Sequence, residues 1–540
     1  MADLKQAFES LDDYYTRRMA ADNIPGMGVA VTDRDRTLRS SAMGVADVST
    51  GAKVTPDTLF QIGSIGKSFT SIALLQLKEQ GKLDLHAPVK EFLPWFEIRS
   101  KYAPITLHHL LTHTAGIPIG SESTLAPESE VWYLREIEAS APPGDFFHYS
   151  NTGYKALGLV LEAVTGSPCA EEVTKRVVEP LGMTQTFAAI TNDLRPSTAI
   201  GYGWLHDDRP AGRKSALAPA VWSESTSADG SISSVPEDMA AYIRMLLRRG
   251  QGPEGRLISE DSFELLTGRY IVPHDSYHGE SYGYGLNIED NSGHLYIWHT
   301  GGMVGFTSSL LLDMDLGVGM IALTNSLAGP DEIVRHAMQT VRAAIEGKEL
   351  PEAGIPPHAY VPISPGQFAG TYKGSSRTVD ISVDGGLLIA EIEGERYVLE
   401  GVKEDYFLLD HLSFLPYAIK FTREGDRVTG FACGPEVYTL EPFERRPPRT
   451  QAPEEWSGFV GHYRSHNPWQ PNIRIVLREG QLVLIDPMGG EEAMHPQPDG
   501  SFRIGATPRS PELILFDMVI GGKAFRACLS GGFLYRSFVP

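Results

Sequence analysis

The chain is predicted to form a mixed α/β (α+β) domain, an antiparallel sheet flanked by helices, followed by two small antiparallel β-barrel domains. Three observations predict this. Residues 1 to 346 alternate segments of helical period with short apolar strands. The stretch 348–364, KELPEAGIPPHAYVPIS, holds four prolines and reads as a linker. Beyond it the pentapeptide FAGTY at 368–372 recurs as FVGHY at 459–463, 91 residues later, and each copy leads into an alternating strand and a turn followed by leucine. Two copies are too few for a solenoid, so they are read as two related β-domains of the up-and-down barrel type. The expected division is 1–346, a linker at 347–364, a first barrel at 365–445, a linker at 446–455 (within ERRPPRTQAPEE) and a second barrel at 456–540.

Each element has a local reason. Leu4, Phe8, Leu11 and Tyr15 place an amphipathic helix at the N-terminus, and 28–31 and 42–46 are strand-sized apolar runs with a polar turn between them. SIGKSFTSIALLQLKEQG, from Ser64, carries Ile65, Phe69, Ile72 and Leu75 at helical spacing and ends at Gly81. Its middle is almost wholly apolar, so it should be buried. Further helices are expected around 106–113, 154–166 and 237–249, and HLYIWHTGG, SSLLLDMD and GVGMIALTN return the chain to sheet. DEIVRHAMQTVRAAIEG is helical and could pack beside the N-terminal helix on that sheet.

Composition narrows the function. With 540 residues, 42% of them hydrophobic, the chain can bury a large core and needs no disulfide framework. The 47 basic against 68 acidic residues give a net charge of −21, which repels phosphate backbones and anionic lipid, so neither nucleic acid nor a membrane is an expected partner. Cys169, Cys433 and Cys528 are far apart and form no metal or redox pair. The N-terminus lacks the apolar core of a signal peptide, and no run approaches the roughly 18 apolar residues of a membrane span. A cytoplasmic protein is expected.

Three motifs carry chemistry. Ser64 and Lys67 have the spacing Ser-x-x-Lys at the start of the buried helix, which brings the amine toward the hydroxyl. A lysine desolvated among apolar neighbours can take a serine's proton, and a helix N-terminus favours the developing oxyanion. The bland alternative is a capping serine and a surface lysine. A phosphate loop is excluded, because the glycine required six residues before its lysine is Gln61 here. Tyr149 and Asn151 flank Ser150 after the loop set by Pro142, Pro143 and Gly144. Residues two apart in extended chain point the same way, so phenol and amide can face one site, or Asn151 can cap a helix starting near Gly153 and Tyr149 can simply pack. His299, Thr300, Gly301 and Gly302 close a strand, either as an edge for an extended substrate, with the Gly302 N–H as an oxyanion donor, or as a turn with a surface histidine.

Taken together, Ser64-x-x-Lys67, Tyr149-x-Asn151 and His299-x-Gly301 resemble the penicillin-recognising serine hydrolases: class C β-lactamases, D-alanyl-D-alanine peptidases, D-aminopeptidases and related esterases. LFQIGSIGKSFTS, ITLHHLLTHTAGIP, YSNTGYKALG, SADGSISSVPEDMAAYIRML and HTGGMVGF extend the likeness over about residues 1–346. The resemblance implies a β-lactamase/transpeptidase-like fold. Within it Ser64 would be the acylated nucleophile, Lys67 its base, Tyr149 the proton shuttle, Asn151 a substrate amide binder, and His299-Thr300-Gly301 the substrate-aligning strand. Many members carry Lys-Thr-Gly at the third motif, where a fixed cation meets a substrate carboxylate; this chain has His299, as in the D-aminopeptidase branch, whose two C-terminal barrels its layout also resembles. The loop at 505–511, matching a possible rim, is short.

Other signals are weaker. His109 and His113 lie four apart, but there is no His-Glu-x-x-His and no third zinc ligand at a telling distance, so helix packing is the favoured reading. The expectation is a serine hydrolase working through an acyl-serine without metal or cofactor, acting as a peptidase or amidase on small peptides or amides containing a D-amino acid. A carboxylesterase of the same superfamily is the alternative, followed by a β-lactamase and by a non-catalytic recognition protein using the β-domains. The expected partner is a small peptide, amide or ester substrate; homo-oligomerisation is left open.

Overall fold

The apolar runs read as strands assemble into one antiparallel sheet of eight: Ala52–Lys53, Thr37–Asp47, Gly26–Asp33, Val318–Thr324, Phe306–Asp313, His294–Met303, Asn287–Asn291 and Ser281–Tyr282. The structure, a computed structural model, describes all residues except 1–3, 123–125, 275, 277, 353, 357, 444–451 and 538–540. Contacts divide the chain into two units, Met1–Gly203 with Leu217–Ala353, and Trp204–Ala216 with Gly354–Pro540.

In the first unit the sheet lies between helices. The Asp331–Ile345 helix packs on strands Phe306–Asp313 and Val318–Thr324 and beside the Lys5–Ala21 helix, as the apolar periodicity of both predicts. Arg18 joins them through Glu332 at 2.5 Å, and the Tyr14 and His336 rings lie 4.2 Å apart. The Pro236–Leu247 helix packs on Gly26–Asp33 and Val318–Thr324, and two glycines set its closeness. A Cβ on Gly28 would stand 2.7 Å from Pro236 Cγ, and one on Gly319 2.4 Å from Ile243 Cγ2. The Gly66–Glu79 helix is buried nearly throughout, as its all-round apolar sequence requires.

The second unit contains two closed eight-stranded antiparallel barrels, the first from Gly370–Lys373 to Glu436–Leu440 and the second from Gly461–Arg464 to Gly532–Arg536. The repeated pentapeptide has a shared physical basis. In both copies a fully buried tyrosine donates its phenol proton back to the phenylalanine carbonyl four residues earlier: Tyr372 to Phe368 at 2.7 Å and Tyr463 to Phe459 at 2.8 Å. The motif therefore folds its own strand entrance onto the barrel core. Residues 204–216, expected with the first domain, group with this unit instead. Their charges explain why: Asp207 meets Arg464 at 2.7 and 2.9 Å, the Asp208 carbonyl accepts from Arg474 at 3.1 Å, and the Arg213 amide donates to Glu400 at 2.7 Å.

Within the expected linker 446–455, residues 446–451 lie outside the described residues. Cys169 and Cys433 are buried, Cys528 is half-buried, and all three are free. Among the described residues no helix is long and apolar enough to cross a membrane.

The Gly319 contact gives a stability test. Gly319→Val should destabilise the first unit by about 1–3 kcal/mol through overpacking against Ile243. Thermal unfolding followed by circular dichroism should show an earlier transition; an unchanged one would mean that the Pro236–Leu247 helix does not rest on this strand.

Candidate active site

Ser64 lies in a single 3₁₀ turn, Gly63–Ile65, that runs straight into the Gly66–Glu79 helix. Residues three apart nearly eclipse in such a turn, so Lys67 stands over Ser64, with Nζ 3.0 Å from Oγ. Between Thr58 and Leu75, Ser64 alone is not buried. The hydroxyl is thus the one open point of an otherwise enclosed segment.

Lys67 is fully buried, which rules out the surface-lysine alternative. Its Nζ has two further acceptors, Asn151 Oδ1 at 2.8 Å and the Asp229 carbonyl at 2.7 Å. A neutral amine has two N–H bonds and one lone pair. With both N–H bonds directed at those two carbonyl oxygens, the lone pair is left for the Ser64 hydroxyl proton. Burial pushes the amine down to about 8, against the opposing pull of the Asp229 and Glu122 carboxylates. Roughly a tenth of the molecules then carry the neutral amine at pH 7.

Tyr149 completes the group. Its phenol is hydrogen-bonded to Ser64 and is held far above its ordinary value by burial, so it stays protonated and is placed to donate, not to act as an anionic base. Its ring centroid is 4.9 Å from Lys67 Nζ. Asn151 does not cap the following helix, which begins at Asn151 and not near Gly153; Ser150 is the cap, its Oγ accepting the Gly153 N–H at 3.0 Å. The amide of Asn151 is thereby left for Lys67.

The His299-Thr300-Gly301-Gly302 motif forms the end of the His294–Met303 strand. On one side the strand pairs with Phe306–Asp313 over its whole motif, but on the other its pairing with Asn287–Asn291 stops at Trp298. The edge of residues 299–302 therefore has no strand partner among the described residues. Glycines bring that edge against the turn carrying Ser64: a Cβ on Gly301 would stand 1.9 Å from the Ile62 carbonyl oxygen, and one on Gly63, at φ +55°, would stand 2.6 Å from Gly302 N. Gly230 closes the other side, where a Cβ would meet the Gly63 carbonyl carbon at 2.8 Å. The turn carrying Ser64 is held between backbones that only side-chain-free residues allow.

His299 itself is buried and neutral, its imidazole lowered to about 4 first by desolvation and then by Lys67. Nδ1 lies 2.5 Å from the Thr300 carbonyl and so carries the proton; Nε2 accepts from the Tyr282 hydroxyl at 3.1 Å. A role for His299 in stabilising substrate charge does not fit this arrangement. The ring offers a substrate neither a cation nor a free N–H, and acts instead as a spacer under the strand.

Ser64, Lys67, Tyr149 and Asn151 are thus brought together, with the Gly301–Gly302 backbone against them. The sequence reading missed the Asp229 carbonyl, which has no side-chain signature, and Tyr282. His109 and His113, weighed as zinc ligands against the favoured reading of helix packing, are both held by backbone contacts. His109 Nδ1 accepts the Thr106 N–H at 3.1 Å in a helix cap, and His113 Nδ1 accepts the Ser150 N–H at 3.0 Å, so neither nitrogen is available to a metal. Among the described residues one group has metal-ligand spacing, His294, Asp313 and Asp315, at the far end of the His294–Met303 strand; Asp313 is already paired with Arg342 at 2.8 Å.

A family model described as Beta-lactamase matches residues 11–344. The chain belongs to the β-lactamase family. It is similar to penicillin-binding protein 4 of Amycolatopsis lactamdurans, 29% identical over 65% of this chain and 93% of that one. It is also similar to protein flp of Staphylococcus aureus (strain N315), 26% identical over 59% of this chain, and spans 63% of that protein's length. Among solved structures, the octameric penicillin-binding protein homologue from Pyrococcus abyssi superposes with a TM-score of 0.60 at 26% identity, covering 80% of this chain and 99% of that one. A D-stereospecific amidohydrolase from a Streptomyces species shares the fold, with a TM-score of 0.51 at 24% identity over 64% of this chain and all of that one. This β-lactamase-fold protein with two trailing barrels is a serine hydrolase of the β-lactamase and penicillin-binding superfamily.

The buried lysine fixes a pH profile. A protonated Lys67 cannot accept the Ser64 proton, so reactivity must be lost as pH falls through the lysine value of about 8 and must level off above it. Below that point the rate of Ser64 acylation by a fluorophosphonate should drop about tenfold per pH unit. A rate independent of pH between about 6 and about 9 would remove Lys67 from the role of base.

Proposed function

We propose that the protein hydrolyses small peptides or amides containing a D-amino acid, in the manner of a D-aminopeptidase. The observation that carries the chemistry is the Lys67 amine, its two N–H bonds spoken for by Asn151 and Asp229 and its third direction aligned on Ser64 Oγ. Ser64 Oγ attacks the scissile carbonyl carbon as its proton passes to Lys67 Nζ, and the carbonyl π pair moves onto oxygen. The Ser64 and Gly302 N–H groups receive that oxyanion. The tetrahedral adduct collapses, the C–N bond breaks, and the leaving amine takes a proton through the Tyr149 phenol, which is replenished from Lys67. Water then attacks the acyl-serine by the same route, releasing the acid and restoring Ser64.

Two features favour an amine-bearing substrate over one with a free carboxylate. The third motif supplies no cation, because His299 is neutral and its Nε2 is bonded to Tyr282. Conversely, the Asp229 carboxylate acts on both Lys67 and Tyr149, so a free substrate carboxylate would meet that like charge, whereas the charge of Glu122 is answered by Lys155 at 2.6 Å. An extended substrate would lie along the unpaired edge of residues 299–302, its backbone groups meeting those of Thr300 and Gly302. The free cysteines suit a cytoplasmic setting. The octameric state of the Pyrococcus homologue makes self-association a further proposal.

The test is a panel of D-alanyl amides, L-alanyl amides, D-alanyl-D-alanine peptides and p-nitrophenyl esters compared by kcat/KM, with intact mass after fluorophosphonate treatment. The expected result is preference for D-aminoacyl amides with a free amine, and a single adduct that Ser64→Ala abolishes. Turnover of esters alone would replace the peptidase reading with a carboxylesterase; labelling that survives Ser64→Ala would overturn the nucleophile.

A further inference from the structure

His113 lies outside the three motifs, yet three consecutive residues, the last two of them in the second motif, rest on it. Its carbonyl accepts the His148 N–H at 2.8 Å, its Nδ1 accepts the Ser150 N–H at 3.0 Å, and between these its ring lies against that of Tyr149, the centroids 4.2 Å apart and the planes tilted by 36°. The neighbouring Thr114 carbonyl accepts the Gly144 N–H at 2.7 Å, extending the same clamp to the start of the loop. No strand or helix fixes residues 145–150, so this clamp, together with the Ser150 hydroxyl donating to the Pro118 carbonyl at 2.6 Å, orders the chain just ahead of the Asn151–Thr165 helix.

The position is not one that stability alone would choose. His113 has φ +56°, a left-handed conformation that non-glycine residues seldom adopt, and it is almost wholly buried. Because Nδ1 must accept from Ser150, the ring proton sits on Nε2, and that N–H has no hydrogen-bond partner among the described residues. Burial, then Lys67, holds the imidazole well below its ordinary value, so the accepting tautomer persists beside the catalytic amine. A phenylalanine would fill the space without an orphaned donor, and an asparagine would accept the Ser150 N–H without a ring. Only a neutral imidazole supplies both the acceptor and the flat face.

We propose that His113 is a positioning residue for acyl transfer: its Nδ1 and ring face fix the Ser150 amide and the Tyr149 ring so that the phenol stays on Ser64 and the Asn151 carbonyl stays on Lys67. The inference rests on the reading of Ser64 as the acylated nucleophile. It acts on the transition state, through the alignment of Tyr149 and Lys67 with the serine, and meets the edge of residues 299–302 only at one remove, through the Tyr282 ring 4.9 Å away whose hydroxyl bonds His299.

The experiment compares the wild type with His113→Phe, which keeps a ring and loses the acceptor, and His113→Asn, whose Oδ1 stands near the place of Nδ1 and whose side chain tolerates positive φ. His113→Gln, with its acceptor displaced by a methylene, is the second pair member should the phenylalanine variant not fold. Turnover of p-nitrophenyl acetate and Ser64 labelling by fluorophosphonate are measured on the full chain, with thermal unfolding alongside. The expected result is a loss of about 100-fold in kcat for His113→Phe and His113→Gln, the scale set by small misplacements of reacting groups, with KM little changed and at least a tenfold recovery in His113→Asn. Equal kcat in folded His113→Phe and wild type would overturn the proposal. So would equal losses in all three variants that follow their unfolding temperatures, since that pattern belongs to a merely structural residue. Wild-type labelling that persists in Ser64→Ala would instead strike the nucleophile, a separate failure.

Discussion

An amine sealed from water is governed by whatever acceptors its surroundings supply, and in this protein that condition falls on Lys67. The apolar Gly66–Glu79 helix gives it the desolvation that lowers its proton affinity, and Asn151 and the Asp229 carbonyl give it two directional acceptors. Neither effect suffices by itself. Desolvation without acceptors would leave two buried N–H bonds unpaired, and acceptors without desolvation would hold an ammonium ion that cannot take a proton. The two carbonyl oxygens come from separate places in the chain, a helix start at 151 and a turn at 227–231, so the fold must bring both onto the Ser64 turn at once.

That requirement explains the backbone packing around the turn. Gly63, Gly230, Gly301 and Gly302 lie where any Cβ on the first three would enter the neighbouring main chain. The sheet strand and the 227–231 turn can then approach the Ser64 turn from two sides without a side chain intervening. Thr70 Oγ1 donates to the Ala228 carbonyl at 2.8 Å and Ser308 Oγ to the Ile62 carbonyl at 2.7 Å, fastening each approach where glycine itself has nothing to offer. Conformational freedom lost at these glycines on folding is offset by a site whose oxygen and nitrogen atoms are already aligned before substrate arrives.

Much of this was legible in the sequence, and the exceptions have identifiable causes. Ser64 with Lys67, and Tyr149 with Asn151, are side-chain functions at spacings that a helix turn and an extended pair convert directly into proximity. The barrels were legible because FAGTY and FVGHY carry a buried tyrosine whose hydrogen bond to the phenylalanine carbonyl needs those residues at that separation. The Asp229 contact was not, since the working atom is a main-chain oxygen that any residue has. His299 was legible as part of a strand end but not as buried, because the Tyr282 hydroxyl that satisfies it is 17 residues away. Residues 204–216 fall inside the domain expected over 1–346, and only the positions of Arg464, Arg474 and Glu400 reveal where they belong.

The histidines make the same point about context more sharply. His109, His113 and His299 are all lowered by burial, and in each the accepting or donating nitrogen is fixed by a specific neighbour: the Thr106 amide, the Ser150 amide and the Thr300 carbonyl. A residue type usually read as a proton switch or a metal ligand is here used three times as a rigid, uncharged ring. With His113 and His299 both neutral around Lys67, the lysine is the only one of these groups that titrates near ordinary pH, because Tyr149 is held the other way, protonated. The site therefore separates its tasks by burial: one group titrates, one donates, and the imidazoles hold the frame in which both act.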